Sequence, residues 1–260
     1  SPDRCPDLCD EYATRDSRVR GIHQPNRGSA AAVIEGVRVS HGCYIGFVDS
    51  DDRIDPGMFA DMMAEVWKQH ADIVQCGLRR FGSASSSDLA TPLETLVYQD
   101  GAVRLELVPQ LLTFFQYDNP VILPARWNKV FQRDLLVRNI GYCDTRIRLG
   151  GSPKYNVTSS LDASKVVCLN RCYYNYRVHE ASMTQSSKKG LWPQNRLLFA
   201  AIARACSDKA EGLEQYAYRY FNYMTLLTII DYGKTPKSYT ELLSAVRTVL
   251  RDNPAADSMR

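Results

Sequence analysis

The chain has 260 residues, 45% of them hydrophobic and 23% charged, with 32 Lys+Arg against 29 Asp+Glu for a net charge of +3. This composition is that of a globular protein and argues against a disordered or fibrous one, and the near-balance of charge gives no ground by itself to predict nucleic-acid binding. The longest apolar run near the C-terminus, Met224 to Ile230, is broken by Thr225 and Thr228 and falls far short of the ~20 residues of a membrane-spanning helix.

The opening Ser1-Pro2-Asp3-Arg4 carries no apolar stretch of the secretory kind. Asp7 to Thr14 reads as the end of a helix, and Val19 to His23 as a short strand. Ala30 to Val39 is helical, with an Ala run suited to close packing on a sheet. Cys43 to Val48 (CYIGFV) is a continuous apolar run, the mark of a strand buried on both faces. Asp55-Pro56 then starts a helix to about His70, with the carboxylate as cap, and Ile73 to Cys76 is the next strand. This alternation predicts βαβ units and a mainly parallel sheet.

In the middle of the chain Gly82 to Ser87 (GSASSS) reads as an exposed loop, Gly101 to Leu112 as a helix, Asn119 to Pro124 as extended, and Trp127 to Val137 as an amphipathic helix. Lys165 to Leu169 and the aromatic run Cys172 to Arg177 read as strand. From Leu191 onward, Pro193 to Ser207, Gly212 to Tyr232 and Pro236 to Asp252 are helical, separated by Gly and Pro. Leu213, Tyr216, Ala217, Tyr220, Met224 and Leu227 share one face of the second helix. The bland reading of that face is packing on a sheet domain; the sharper one is a surface for lipid headgroups or a membrane-bound acceptor.

The eight cysteines, Cys5, Cys9, Cys43, Cys76, Cys143, Cys168, Cys172 and Cys206, form no CxxC pair, and the pairs Cys5/Cys9 and Cys168/Cys172, four apart, have neither a second close pair nor a nearby histidine to complete a tetrahedral zinc site. Cys43, Cys76 and Cys168 sit in apolar runs where a free thiol acts as a small hydrophobe. Reduced thiols and a cytoplasmic protein are expected.

The most informative segment is Tyr44-Ile45-Gly46-Phe47-Val48-Asp49-Ser50-Asp51-Asp52. Three carboxylates directly follow a buried strand, where open α/β sheets bind ligands. Such crowding is repulsive unless a cation neutralises it. A hard divalent ion takes one or two carboxylates plus phosphate oxygens, so the cluster suits a metal bridging protein to a diphosphate. The alternative is a solvated turn in which Asp52 or Asp55 caps the following helix.

The ordered set Asn26-x-Gly28, the Ala30–Ala32 helix, Gly36, then Gly42-x-Tyr44-Ile45-x-Phe47-x-Asp49-Ser50-Asp51-Asp52 resembles family 2 glycosyltransferases of the GT-A fold, whose acidic DxD motif is matched by Asp49 and Asp51. Ala71-Asp72-Ile73-Val74, Trp127-Asn128-Lys129-Val130-Phe131 and the stretch from Tyr174 through Arg177, His179 and Ser182 to Thr184 are similar to later segments of that family. The resemblance covers roughly residues 1 to 185. It implies an α/β, Rossmann-like, mostly parallel sheet flanked by helices over 1–185, with a helical C-terminal subdomain over 186–260.

The activity so implied is inverting, metal-assisted transfer of a sugar from a nucleotide-sugar donor, UDP-linked, to a saccharide or lipid-linked acceptor hydroxyl in cell-surface polysaccharide or lipopolysaccharide synthesis. The cofactor is Mn²⁺ or Mg²⁺, no nucleic acid is involved, and peripheral contact with the inner membrane face is allowed. Asp51 is assigned to the metal, Asp49 to metal or ribose, and Asn26 to the donor; Asp52 is a weaker candidate. Arg177 and His179 are assigned to the diphosphate, with surface or strand packing as their alternative.

Two departures from the family pattern matter. The chain opens with residues like those that follow the family's first strand-helix-strand, so that unit is expected to be lacking. The family's Gly-Glu-Asp base motif corresponds here to Gly150-Gly151-Ser152, which puts Ser152 at the base position, and a serine hydroxyl is a poor base at neutral pH. A catalytically impaired sugar-nucleotide binder or scaffold is therefore the second reading. A metal-dependent phosphohydrolase is the third, but the four histidines (His23, His41, His70 and His179) are scattered.

Overall fold

The computed structural model describes residues 3–82, 87–89, 92–117, 122–147, 151–178, 191–234 and 239–251. The elements in chain order are α1 (Cys5–Arg15), α2 (Ser29–Val39), β1 (Tyr44–Gly46), β2 (Arg53–Ile54), α3 (Met58–Gln69), β3 (Ile73–Phe81), β4 (Ser87–Leu89), β5 (Leu96–Gln99), α4 (Val108–Thr113), β6 (Lys129–Gln132), α5 (Arg133–Asn139), α6 (Gly151–Asp162), β7 (Lys165–Arg177), α7 (Leu191–Lys209), α8 (Glu214–Lys234) and α9 (Tyr239–Arg251). The α/β class with a helical C-terminal part is as expected. Val19 to His23 forms no strand: Val19 and Ile22 are exposed and have no ladder to join.

The sheet order is β1-β6-β3-β7-β2, with β4 on β3 and β5 on β7. β3 and β7 pair in parallel, and β6 runs antiparallel to both β1 and β3. The strands β1, β3 and β7 therefore point the same way, which is the predicted βαβ sense. The sheet is less parallel than the alternation predicts: β6 lies between β1 and β3, β2 and β5 run antiparallel to β7, and β4 runs antiparallel to β3. Strand β6 occupies residues 129–132, where a helix is expected from Trp127. The segment is extended because Val130 and Phe131 bury on opposite faces of the sheet, Phe131 with the larger core and Val130 with the smaller one under α3. The helix begins only at Arg133.

Two further expectations shift. Of the apolar run Cys43 to Val48, only Ile45 is buried, and Cys43 is exposed; the strand is an edge of the described sheet and stops at Gly46, where a Cβ would lie 2.5 Å from the Phe59 ring of α3. Asp55 does not cap α3. The chain turns at Gly57, whose φ of +89° suits glycine, and the Asp55 carboxylate instead accepts from Asn175 Nδ2 at 2.7 Å.

The larger core continues from the sheet into the C-terminal helices. Val37, Ile73, Phe131 and Val166 pack in one cluster with Trp192, Phe199, Ile202, Ala217, Tyr220 and Phe221. The predicted face of α8 points into it: Leu213, Ala217 and Tyr220 are buried, and Tyr216 and Met224 pack against the cluster. All eight cysteines are free thiols.

Lys129 stands in the middle of this sheet with only 3% exposure. Its Nζ donates to the carbonyls of Leu123 (2.8 Å) and Ala125 (2.7 Å) and to Asn128 Oδ1 (3.0 Å). Burial pushes its ammonium down to about 7, against three acceptors that favour the charged form. Lys129→Met is expected to destabilise the fold by roughly 2–4 kcal/mol, because buried oxygens lose their donor. Between about pH 7 and 10 the unfolded chain holds a proton that the folded site gives up, so wild-type stability rises with pH relative to Lys129→Met. Urea denaturation at several pH values measures both; a flat difference contradicts the depressed pKa.

Candidate active site

The parallel strands β1, β3 and β7 end on the same side of the sheet, and the turn after β1 carries Asp49, Asp51 and Asp52 there. This is the edge where open α/β sheets bind ligands. The turn is held from β7. Tyr174, fully buried, donates its hydroxyl to Asp52 Oδ2 at 2.7 Å and accepts from the Asp49 backbone N–H at 3.1 Å. The Arg177 backbone N–H donates to Asp52 Oδ1 at 2.8 Å. Within the turn, Asp52 N–H bonds the Asp49 carbonyl at 3.1 Å.

The three carboxylates thus have different environments. Asp52 has both oxygens occupied by β7. Burial raises its pKa, the charges of Asp51 and Asp49 add to that, and the bonds from Arg177 and Tyr174 oppose it. Asp49 is 37% exposed, and its Oδ1 accepts from Arg126 Nη2 at 3.1 Å. Asp51 is exposed. Asp52 is thus the carboxylate that fixes the turn, while Asp51 is exposed and Asp49 is partly exposed with one oxygen on Arg126.

Among the described residues no group of three or more His, Cys, Asp or Glu could hold a metal ion. Two carboxylates still fit Mg²⁺ or Mn²⁺, which keep several waters and complete their shell with phosphate oxygens; they do not fit an ion needing an all-protein cage.

The other predicted residues are placed as follows. Asn26 is exposed, and its Oδ1 accepts from Gly28 N–H at 3.1 Å, forming the turn that opens α2. Arg177 meets Asp52 through its backbone; its guanidinium lies over the Phe81 ring, 5.5 Å from the centroid. Side chains alternate along a strand, so Arg177 shares a face of β7 with Tyr173 and Asn175, opposite Tyr174 and Tyr176. His179 lies outside the described residues. Gly151 and Ser152 form the first turn of α6. Nearby, Tyr155 donates to the Ala30 carbonyl at 3.3 Å and Lys154 to the Asp144 carbonyl at 2.9 Å, tying that helix start to α2 and the preceding loop.

Neither neighbouring aspartate is poised as a base. Arg146 grips both oxygens of Asp144, at 2.7 to 3.0 Å, and holds its carboxyl below the usual range. Asp162 is bound by Asn139 and Lys209, away from the acidic turn.

Sequence reasoning missed Arg126 and the bracing role of Tyr174. Arg126 directly precedes the recognised Trp127-Asn128-Lys129, but nothing local shows that it reaches a carboxylate 77 residues earlier. Trp127 stacks on Tyr174 (4.3 Å between centroids) and on Tyr176 (5.6 Å), so it packs the ring that holds the turn.

A family model described as glycosyl transferase family 2 matches residues 1–138. The chain is 30% identical over 186 residues to the uncharacterized glycosyltransferase EpsJ of Bacillus subtilis, covering 71% of this chain and 52% of EpsJ. It is 27% identical over 222 residues to the putative glycosyltransferase EpsH of the same organism, covering 83% of this chain and 60% of EpsH. It thus spans little more than half of each. A crystal structure of S. aureus TarS in complex with UDP-GlcNAc superposes with a TM-score of 0.69 at 14% identity, covering 98% of this chain and 70% of that one; this likeness is one of fold.

Tyr174→Phe removes the hydroxyl shared by Asp52 and the Asp49 N–H, and it is expected to lower stability by about 1–3 kcal/mol. Thermal unfolding checks this. A variant as stable as wild type shows that the turn does not depend on the Tyr174 hydroxyl.

Proposed function

The chain belongs to glycosyl transferase family 2, and from that premise we propose that it transfers a sugar from a UDP-linked donor to an acceptor hydroxyl in cell-surface polysaccharide or lipopolysaccharide synthesis, with inversion. The observation that carries this reading is the acidic turn braced at the ends of the parallel strands, with Asp52 held by β7, Asp51 exposed and Asp49 partly exposed. The fold shared with a UDP-GlcNAc-bound structure supports a nucleotide-sugar donor.

Asp51 and Asp49 would hold Mn²⁺ or Mg²⁺. Such an ion, when bound, supplies Lewis-acid stabilisation of charge on the leaving diphosphate. Asn26, Arg177 and His179 are assigned to the donor. Residues 1–185 are read as the catalytic part and 186–260 as its helical addition. The acceptor is a saccharide or a lipid-linked one, met by a cytoplasmic protein at the inner membrane face. No helix among the described residues is long and apolar enough to cross a membrane, which is compatible with peripheral contact.

One observation favours a second reading, a sugar-nucleotide binder of low transfer activity. Gly151 and Ser152 stand where the family carries Glu and Asp, and Asp144 and Asp162 are both tied up in ion pairs. Absence of a positioned base lowers a rate by about 10²–10⁴-fold. Donor binding would survive; transfer would be slow, and Gly151→Glu with Ser152→Asp would raise it.

Calorimetry with UDP-GlcNAc and Mn²⁺ tests the donor site. Wild type is expected to bind, and Asp51→Ala to bind at least about tenfold more weakly, having lost a charged ligand. Equal binding by Asp51→Ala removes the acidic turn from the donor site.

A further inference from the structure

A cleft apart from the acidic turn lies between α7 and the loop that leads towards α6. Its volume is about 510 Å³, within the roughly 300–1,000 Å³ typical of ligand cavities. One wall is the loop from Gly141 to Arg146, and the other is Leu197, Ala200, Ala201 and Arg204 of α7. Leu197, Ala200 and Ala201 are three and four residues apart, so they share a helix face and make an apolar floor.

The charges on the two walls differ in what they already hold. On the loop, Arg146 and Asp144 neutralise each other through both carboxylate oxygens. On α7, Arg204 donates from Nη2 to the Gly141 carbonyl at 3.0 Å and lies over the Tyr142 ring, 4.8 Å from its centroid. Among the described residues it makes no ion pair. Asp208, one turn further along α7, instead accepts from the Tyr142 hydroxyl at 2.9 Å. A guanidinium has five N–H donors, so one hydrogen bond leaves most of them unclaimed. The ring and the Gly141 carbonyl hold the planar fork in place, which reduces the entropy lost when it meets an anion.

The cleft is also fastened to the acidic turn. Lys154 of α6, fully buried, donates to the carbonyl of Asp144 in the cleft wall at 2.9 Å. The charge of Arg126, which is bonded to Asp49, acts on the same Lys154. The first turns of α6 therefore connect the two places.

We propose that this cleft is an acceptor subsite, and that the acceptor carries an anionic group there. Arg204 holds that group, a phosphate ester or a carboxylate, and the apolar floor meets the C–H surface of the attached sugar or polyol. The inference rests on the sugar-transfer reading and names the chemistry of its acceptor. One uncompensated guanidinium beside an apolar floor matches a single anion on a saccharide; it is too little charge for a nucleic-acid backbone.

Titration of the isotope-labelled chain, followed by NMR, tests this with glucose 6-phosphate, glucuronate and glucose. The Arg204 Nε–H signal and the backbone amides of Ala200 and Ala201 are expected to shift with an anionic probe and to stay in place with glucose. A response to glucose 6-phosphate alone assigns the phosphate ester, and a response to glucuronate alone the carboxylate. Arg204→Gln is expected to weaken the anionic probe about tenfold, through loss of a charge-assisted hydrogen bond. Arg247→Gln, which removes the same charge from the exposed side of α9, leaves the affinity unchanged. Ala200→Phe fills the cleft from an exposed position and abolishes binding; it decides the matter if Arg204→Gln fails to fold.

Equal binding of glucose, no shift at Arg204 with either anion, equal weakening by Arg247→Gln, or undiminished binding by Ala200→Phe each overturns the proposal. Chain saturated with UDP-GlcNAc and Mn²⁺ is expected to give the same titration; competition puts the cleft in the donor site and overturns the acceptor assignment. If wild type binds no UDP-GlcNAc, the transfer reading falls and the acceptor role with it. If it binds UDP-GlcNAc and neither anionic probe, the subsite alone falls.

Discussion

The Tyr174 hydroxyl is the group on which the rest of the site depends. It is buried, and it faces two elements at once: it donates to Asp52 and accepts from the backbone of Asp49. The turn between them carries no strand or helix of its own, so its shape is set from outside, by β7. Arg177 N–H adds a second bond from the same strand. Two adjacent bonds to one carboxylate fix both its position and its orientation, and the neighbouring residues of a tight turn follow. A half-buried carboxylate held this way is costly to desolvate, and its raised pKa reflects that cost. Asp52 belongs to the bracing, and Asp49 and Asp51 are what the bracing presents.

Four consecutive residues, Arg126 to Lys129, connect this site to the core, each by a different interaction. Arg126 pairs with Asp49, Trp127 covers Tyr174, Asn128 bonds Cys76 and Lys129 saturates three buried oxygens. Two of these are charged groups in poorly hydrated places, where an unmade bond costs more than a made one contributes. The segment therefore has one low-energy position. That rigidity suits a place where groups from distant parts of the chain must be held in register for a ligand.

Much of the fold was legible along the chain. The alternation of α2, β1, α3 and β3, the aromatic strand β7 and the three closing helices each announce themselves by apolar periodicity, which reports whether a residue faces a core. Periodicity misled at residues 129–132: Val130 and Phe131 read equally well as part of an amphipathic helix, and four residues are too few to separate the two periods. That misreading accounts for part of why the sheet is less parallel than expected, since β6 is inserted between β1 and β3; β2, β4 and β5 also run antiparallel to their partners.

The sequence by itself determined the class of the fold and the position of the acidic turn, because both follow from local features: an apolar strand, three carboxylates after it, and helices on either side. Only the tertiary structure decided what each carboxylate does. Asp49, Asp51 and Asp52 are nearly interchangeable as letters. They differ in which distant groups reach them, Tyr174 and Arg177 for Asp52 and Arg126 for Asp49. Those contacts span 77 to 125 residues. No local pattern encodes such a pairing, because it is set by how strands order themselves in the sheet.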